Sequence, residues 1–247
     1  MKLSINLNKI ALIRNSRGSN NPDIEYFAKL ALDEDILGLT VHPRPDGRHI
    51  IYDDLVKIKA ITDEYKKEFN IEGNPIEKES LNYKGFIPII KEFKPTQATL
   101  VPDSTNQLTS DHGWEMNDLN NADYIKSIKD ECSRCSVFIN AGTDLKELKN
   151  NYVDSIEIYT GPYADAVLKN NLKLIDTELS KIIFTCETAK NLGMRINAGH
   201  DLDLNNLPML KELNLIDEVS IGHAIISESL NNGFKNTIQQ YIKLING

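Results

Sequence analysis

Histidines recur in this sequence directly after short apolar runs. The five histidines are His42, His49, His112, His200 and His223. Each ends or follows a run with the character of a β-strand, and none falls within a helical pattern. Histidine titrates near neutral pH and serves as either acid or base, so this placement predicts proton transfer at a shared site. Taken singly, each histidine is also compatible with an ordinary hydrogen-bonded loop residue.

Most of the arginines are concentrated early in the chain. Four of the six lie after the first two apolar runs: Arg14, Arg17, Arg44 and Arg48. A guanidinium group matches phosphate in a two-point geometry, which favours an anionic substrate. The competing interpretation is a solvated charged surface, because exposed ion pairs are common and weak.

Two carboxylates stand in otherwise apolar segments. Glu72 ends the run Phe69–Glu72, and Glu157 lies between Ile156 and Ile158. Desolvation raises the pKa of a carboxyl group in such a place, unless a cation holds it ionised. Alternation along a strand would turn Glu157 inward, away from the face of its isoleucine neighbours. Both residues are candidates for proton transfer, and pairing with a nearby cation is the alternative for Glu157.

Two glycine-histidine pairs follow apolar runs late in the chain, at Gly199-His200 and Gly222-His223. After Gly222 a helical pattern begins at once, so free backbone N–H groups would face whatever lies beyond the strand. Such a helix start binds anions, and barrel enzymes often hold phosphate after their last two strands. A tight turn that needs glycine for its backbone angles is the simpler alternative.

Strand-like runs alternate with helical patterns along the whole chain. The candidate strands are Leu3–Leu7, Leu37–His42, Asn70–Glu72, Ala98–Pro102, Ser136–Asn140, Ser155–Tyr159, Met194–Asn197 and Val219–Gly222. The candidate helices include Lys9–Asn15, Asp23–Leu32, Asp53–Phe69, Thr177–Leu192 and Ala224–Leu230. Eight such units in 247 residues predict an α/β protein, a single-domain (β/α)8 TIM barrel with extra helices. The polar strand ends would then meet at one rim, where barrel active sites are built.

Composition excludes several classes of protein. The formal net charge is −8, which argues against nucleic-acid binding. No stretch approaches the roughly 20 apolar residues of a membrane span, and no signal-peptide core follows Lys2. The three cysteines do not resemble a disulfide framework, and Cys132 and Cys135 lack a second ligand pair for zinc. We therefore expect a cytoplasmic protein without a metal site, a membrane partner or a nucleic-acid partner.

Six motifs follow one another along nearly the whole chain. They are Leu39-Thr-Val-His-Pro-Arg-Pro-Asp-Gly-Arg-His-Ile50, Asn70-Ile-Glu72, Leu100-Val-Pro102, Ile156-Glu-Ile-Tyr-Thr-Gly-Pro-Tyr-Ala-Asp165, Asn197-Ala-Gly-His200 and Ile221-Gly-His-Ala-Ile-Ile226. Together they resemble the pyridoxine 5'-phosphate synthase family of vitamin B6 biosynthesis. No single motif is specific, but the ordered set is.

The resemblance implies a fold, a reaction and an assembly. The family is a (β/α)8 barrel with extra helices and is oligomeric, typically octameric. It condenses 1-deoxy-D-xylulose 5-phosphate with 3-amino-2-oxopropyl phosphate to give pyridoxine 5'-phosphate, inorganic phosphate and water. The amine of one substrate attacks the ketone of the other, and the family needs no metal or organic cofactor.

The resemblance also implies residue roles. His42 and Glu72 would be general bases, His200 the general acid, and Glu157 would stabilise charge in the transition state. The ligands of the aminoketone phosphate would be Asn6, Arg17, Gly222 and His223. The ligands of the ketose phosphate would be Arg44, His49 and Thr109.

Three positions depart from the family pattern. Asn8-Lys9 stands where the family usually has Asp-His, Asp201 stands where it has glycine, and Tyr159 replaces a usual histidine. Lys9 still supplies a cation for phosphate, and we place Asn8, Lys9 and Asp201 among the expected substrate-binding residues.

Three other interpretations remain open at this stage. A sugar-phosphate isomerase or indole-type synthase barrel needs one phosphate site and leaves the early arginines unexplained. A barrel that binds a phosphorylated ligand without converting it is compatible with Asn8, Lys9 and Asp201. A metal-dependent hydrolase lacks a His-x-His pair or a carboxylate-rich cluster.

Overall fold

Eight parallel strands close into a barrel in the computed structural model, which describes all residues from 1 to 247. The strands are β1 (Lys2–Asn6), β2 (Gly38–Val41), β3 (Glu68–Gly73), β4 (Gln97–Leu100), β5 (Arg134–Asn140), β6 (Ser155–Tyr159), β7 (Arg195–Gly199) and β8 (Glu218–Ile221). Each pairs with the next, and β8 returns to β1 with Ile221 opposite Ile5. The predicted (β/α)8 barrel is therefore confirmed.

Eleven α-helices connect and cover the strands. They are α1 (Asn8–Asn15), α2 (Ile24–Leu32), α3 (Tyr52–Tyr65), α4 (Phe86–Phe93), α5 (Met116–Asn120), α6 (Tyr124–Lys129), α7 (Gly161–Leu168), α8 (Leu172–Asn191), α9 (Leu207–Glu212), α10 (His223–Asn232) and α11 (Phe234–Asn246). Helices α1 and α10 are the two extra helices expected after the first and eighth strands. No helix is both long and apolar enough to cross a membrane.

The two faces of the barrel wall differ in character. Alternate strand residues such as Ile5, Leu39 and Ile71 are fully buried in one apolar cluster with the surrounding helices. The residues between them are polar and bond to one another across neighbouring strands. Since successive side chains on a strand point to opposite faces, the apolar set packs outward and the polar set fills the barrel.

Hydrogen bonds link the polar interior from strand to strand. Ser4 contacts Thr40 at 3.0 Å, and Thr99 donates to Asn70 at 3.0 Å. At the amino-terminal end, Arg134 donates from Nε to Gln97 at 2.9 Å and pairs with Glu68. This interior differs from the layers of branched aliphatic side chains that fill most such barrels, and it leads directly to the polar carboxyl end.

The boundary between α3 and β3 was predicted wrongly, and α8 begins at Leu172 rather than at Thr177. The helix expected over Asp53–Phe69 ends at Tyr65, and β3 begins at Glu68 rather than Asn70. Lys66 adopts a left-handed conformation with φ 54°, which stops the helix without a glycine. The apolar spacing through Phe69 carried the helical pattern into what is the start of a strand.

Candidate active site

His42 lies just beyond β2, buried between two carboxyl groups. Its Nδ1 atom is 3.8 Å from Oε2 of Glu72, and its Nε2 atom is 3.7 Å from Oδ2 of Asp103. Burial, with a smaller contribution from the charge of Arg44, lowers the pKa of His42 to about 3. The imidazole is therefore neutral at neutral pH, which is the form required of a general base.

The backbone of His42 is held by the residue at the start of α1. Oδ1 of Asn8 accepts a hydrogen bond from the His42 amide at 2.8 Å, and the Asn8 amide donates to Asn6 Oδ1 at 2.9 Å. The end of β1 is thereby tied to the end of β2. Asn8 acts here through a protein contact rather than as a free group in the pocket.

Glu72 and Glu157 form a carboxyl pair inside the carboxyl end of the barrel. Burial raises the pKa of Glu72 well above its usual range, and the nearby Glu157 and Asp103 add to the effect. Burial likewise raises the pKa of Glu157 to about 8, with a further contribution from Glu218. Glu157 is therefore protonated at neutral pH. Such groups give up or take up a proton near the working pH of most enzymes.

Glu157 points into the barrel, as strand alternation predicts. A Cβ atom at Gly199 would lie 2.3 Å from Glu157 Oε1, so glycine is needed there to make room. Oε2 of Glu157 and both polar side-chain atoms of the neighbouring Asn197 are buried without a hydrogen-bond partner. Buried polar atoms of this kind are ready to bind polar groups of a ligand.

Arg44 and Arg48 lie together against the segment after β4. Nη1 of Arg44 contacts Asp103 Oδ2 at 2.5 Å, and its Nη2 donates to the Ser104 carbonyl at 2.6 Å. Arg48 pairs with Asp46 and donates to the Gln107 carbonyl, which Arg44 also reaches. The two guanidinium groups therefore hold this segment in place through its carbonyl groups.

The other two early arginines do not join that pair. Arg14 lies on α1, is buried, and pairs with Asp54 of α3, so its expected place in the rim cluster is wrong. Helix α1 starts directly after β1 and turns this side chain toward α3. Arg17 follows the end of α1 and is exposed. Of the four arginines predicted to lie together, only Arg44 and Arg48 do so.

His49 packs beside His42. The two rings stand edge to face with centroids 6.0 Å apart, and His49 Nδ1 accepts a hydrogen bond from the Ile50 amide at 3.0 Å. Burial lowers the pKa of His49 to about 2, with the His42 charge next in importance. Asn15 donates to the His49 carbonyl at 2.7 Å, so α1 also fixes this loop.

The loop after β4 crosses the pocket to β7. Thr109 Oγ1 lies 2.9 Å from Nε2 of His200, and Asp201 Oδ2 lies 2.8 Å from Nδ1 of the same ring. The loop ends at Trp114, which is buried and donates from Nε1 to the Leu100 carbonyl at 3.0 Å. The β4 loop therefore contacts residues that follow both β2 and β7, through Asp103 with Arg44 and through Thr109 with His200.

A third group of predicted residues gathers where β8 meets α10. Gly222 has φ −129°, an ordinary value, but a Cβ there would lie 2.9 Å from the Asn6 Cβ. Close approach to β1 therefore explains this glycine. His223 is the first residue of α10, which corrects the expectation that no histidine lies on a helix. The charges of His223 and Lys9 both act on Asp201, so these three residues are near neighbours.

Asp103 is the main site residue that the sequence did not reveal. It is buried, contacts Arg44, and accepts a hydrogen bond from Ser110 at 3.2 Å. Burial raises its pKa, against the lowering effect of Arg44. Its only sequence signal is its position directly after Pro102, at the end of the fourth strand. No group of three or more His, Cys, Asp or Glu side chains is arranged to hold a metal ion.

The fold and the site together define a class. This is a (β/α)8 barrel with neutral imidazole, protonated carboxyl and guanidinium groups at the carboxyl end of its strands, as in barrel enzymes of acid–base chemistry. The family model described as "Pyridoxal phosphate biosynthesis protein PdxJ" matches residues 3–247. The chain belongs to this family.

Relatives with this activity in their names match the chain over almost their full lengths. A pyridoxine 5'-phosphate synthase from Xanthomonas axonopodis pv. citri (strain 306) is 42% identical over 99% of this chain and 96% of its own. A pyridoxine 5'-phosphate synthase from Xylella fastidiosa (strain M23) is 41% identical over 99% of this chain and 94% of its own.

Solved structures of distant proteins share the fold. A thiamine phosphate pyrophosphorylase from Pyrococcus furiosus aligns over 99% of this chain and 94% of its own, with a TM-score of 0.60 and 11% identity. The tryptophan synthase A-subunit of the same organism aligns over 98% of this chain and 96% of its own, with a TM-score of 0.62 and 12% identity. At these identities the likeness concerns the fold alone.

Proposed function

We propose that this protein is a pyridoxine 5'-phosphate synthase, which condenses 1-deoxy-D-xylulose 5-phosphate with 3-amino-2-oxopropyl phosphate by acid–base catalysis. The products are pyridoxine 5'-phosphate, inorganic phosphate and water. The family model over residues 3–247 supports this reaction. The observation that carries the proposal is the placement of a neutral imidazole, His42, 3.8 Å from the carboxyl group of Glu72 in a buried pocket.

Ring closure needs several proton transfers, and the site offers groups with separated proton affinities. Burial keeps His42 neutral, so one ring nitrogen is unprotonated and free to accept a proton. Glu72 lies beside it with a raised pKa, so once ionised it is a strong base. Glu157, whose pKa of about 8 keeps its carboxyl protonated at neutral pH, donates a hydrogen bond that stabilises charge in the transition state. His200 serves as general acid from the opposite side of the pocket.

The two phosphate groups would bind at opposite sides of the pocket. On the β2 side, Arg44, His49 and Thr109 hold the ketose phosphate, and a phosphate there competes with Asp103 for the Arg44 guanidinium. On the β8 side, the start of the ten-residue helix α10 offers free backbone N–H groups at Gly222 and His223. Asn6, Arg17 and Lys9 complete this second site, with Asn8 supporting it from the start of α1.

The chemistry of these side chains requires no resident metal or organic cofactor, because the substrate amine itself attacks the substrate ketone. The substrates are small phosphorylated metabolites, so the proposal places the protein in the cytoplasm. By analogy with the family we expect a homo-oligomer, typically an octamer.

The test is turnover with both purified substrates, followed by phosphate release and product absorbance in the presence of a chelator. We expect phosphate and pyridoxine 5'-phosphate in equal amounts, with activity lost in His42→Asn and retained in His112→Asn. His112 is the matched control because it is exposed and contacts only Asp111 and Gln107. Binding of either substrate without phosphate release would refute the proposal in favour of a ligand-binding barrel.

A further inference from the structure

His200 and Asp201 are adjacent in sequence and bonded through their side chains. Nδ1 of His200 lies 2.8 Å from Oδ2 of Asp201, while Nε2 faces Thr109 across the pocket at 2.9 Å. Neighbouring residues rarely make this contact, since successive side chains usually point apart. Here both residues adopt positive φ angles, 88° for His200 and 57° for Asp201, and this brings the carboxylate back onto the ring.

The surrounding structure maintains this backbone. Thr160 Oγ1 contacts the Gly199 carbonyl at 2.7 Å and the His200 carbonyl at 2.6 Å. Asn206 donates to the Asp201 carbonyl at 3.0 Å. Tyr163 donates to the Asn206 carbonyl at 2.6 Å, which fixes Asn206 in turn. Uncommon conformations persist where several contacts determine them, and such positions are often functional.

We propose that Asp201 is a positioning residue that fixes the orientation and tautomer of His200, rather than a ligand of the substrate phosphate. Its carboxylate accepts the Nδ1 proton, so the ring presents Nε2 to the pocket. This inference rests on the proposed function only in taking His200 as the general acid. The structural part, a fixed tautomer, is independent of any reaction.

The proton transfer expected of His200 favours this arrangement. The charged ring donates its Nε2 proton to the leaving oxygen and is left as the neutral form with hydrogen on Nδ1. That form is the one the Asp201 carboxylate binds, and the same carboxylate stabilises the charged ring before transfer. A carboxylate that orients a histidine in this way is a recurrent device of acid–base sites.

Other groups around His200 do not substitute for Asp201. Thr109 of the β4 loop is uncharged, and the Tyr159 ring at the end of β6 meets the imidazole edge to face at 5.1 Å. Lys9 of α1 and His223 of α10 lie near Asp201, but neither makes a hydrogen bond to the His200 ring. The hydrogen bond from His200 is the largest cause that lowers the pKa of Asp201, with smaller contributions from Lys9 and His223, so the carboxylate stays ionised.

The variant Asp201→Asn tests the proposal. The Asp201 side chain bonds only to His200 and is half exposed, so we expect the variant to fold normally. We expect kcat to fall about 10-fold to 100-fold while both KM values stay close to wild type. Asp176→Asn, an equal charge change on the exposed face of α8, is the control and leaves kcat and both KM values unchanged.

Nitrogen NMR of the imidazole rings provides a readout without substrate. The protein has only five histidines, so the His200 signal is assigned as the one that disappears in His200→Asn. We expect the neutral ring to carry hydrogen on Nδ1 in the wild type and to become a tautomer mixture in Asp201→Asn. An unchanged tautomer, or a lower KM for a phosphate substrate with unchanged kcat, would overturn the proposal. If the wild type does not turn over, the proposed function fails while the NMR result still decides the tautomer.

Discussion

Asp103 Oδ2 lies 2.5 Å from the Arg44 guanidinium and 3.7 Å from Nε2 of His42. One buried carboxyl group therefore serves the candidate phosphate ligand and the candidate base together. Burial raises its pKa while Arg44 lowers it, so its charge depends on Arg44 remaining in contact. A phosphate that takes over the guanidinium removes that stabilisation and makes the carboxyl a better proton carrier beside His42.

Removal of the Arg44 side chain tests its proposed binding role. We expect Arg44→Ala to raise KM for the ketose phosphate about 10-fold to 100-fold, the usual worth of a charge-assisted hydrogen bond. Loss of the cation also leaves Asp103 buried without its partner, which lowers the free energy of unfolding by about 3 kcal/mol. Steady-state kinetics and urea denaturation measure the two effects.

A second variant separates binding from stability. In Arg44→Ala with Asp103→Asn, the buried charge is gone, so stability returns toward wild type while KM stays high. An effect of Arg44→Ala confined to kcat would contradict the binding role. A return of KM to its wild-type value in the double variant would also contradict the binding role.

Glu72 is expected to contribute through proton transfer. Glu72→Gln keeps the shape of the side chain and removes its proton exchange, so we expect turnover to fall by about 10²–10⁴-fold. Glu79→Gln, on the exposed loop after β3, is the control for the same chemical change. Pre-steady-state rates measured with a folded variant decide the question, and unchanged turnover would show that Glu72 is not the base.

Glu157 makes stability depend on pH. Its pKa is about 8 in the folded protein and near 4.5 when exposed, so the folded state retains a proton that the unfolded state loses between these values. The free energy of unfolding should therefore fall as pH rises from 5 to 8, by about 1 kcal/mol per unit from this group. Glu157→Gln cannot titrate, and its stability should fall less steeply.

Urea denaturation at pH 5, 6, 7 and 8 measures this slope. Glu218 titrates in the same range, with a pKa of about 7, so some slope remains in the variant. Equal slopes in wild type and Glu157→Gln would mean that Glu157 is ionised in the folded protein.

Asn8 is expected to support His42 through its side-chain oxygen. Asn8→Ala leaves the His42 amide without its 2.8 Å acceptor, which should cost about 1–2 kcal/mol of stability and about 10-fold in kcat. Asn8→Asp retains an acceptor at the same place and should retain activity. Thermal unfolding and kcat measure the two effects. A fully active Asn8→Ala variant would show that the hydrogen bond from the His42 amide to Asn8 is not important for catalysis.

The sequence predicts the barrel well because each strand forms a short run that contrasts with its flanking helices. It does not reveal the polar interior as a network, since Ser4, Thr40 and Asn70 are remote in sequence and meet only when the barrel closes. The end of α3 was missed because Lys66 takes a conformation usually signalled by glycine. Local residue pattern carries no information about such a tertiary constraint.

For the site, strand-end position was the useful signal. It singled out His42, Glu72 and Glu157, and all three side chains are buried at the carboxyl end of the barrel. It misplaced Arg14, whose side chain on α1 turns toward Asp54 of α3. It missed Asp103, which lies in a polar loop among several other carboxylates. Their partners, Asp54 and Arg44, are 40 and 59 residues away in the chain.

Trp114 gives the chain a single indole fluorophore, since the sequence has only one tryptophan. The ring is buried where the β4 loop rejoins β5, with its backbone amide bonded to the Phe138 carbonyl at 2.8 Å. Emission from unlabelled protein therefore reports from one known point at the base of the segment that carries Asp103 and Thr109. Ligand titrations can be read optically at that point, without attaching a dye or disturbing the pocket.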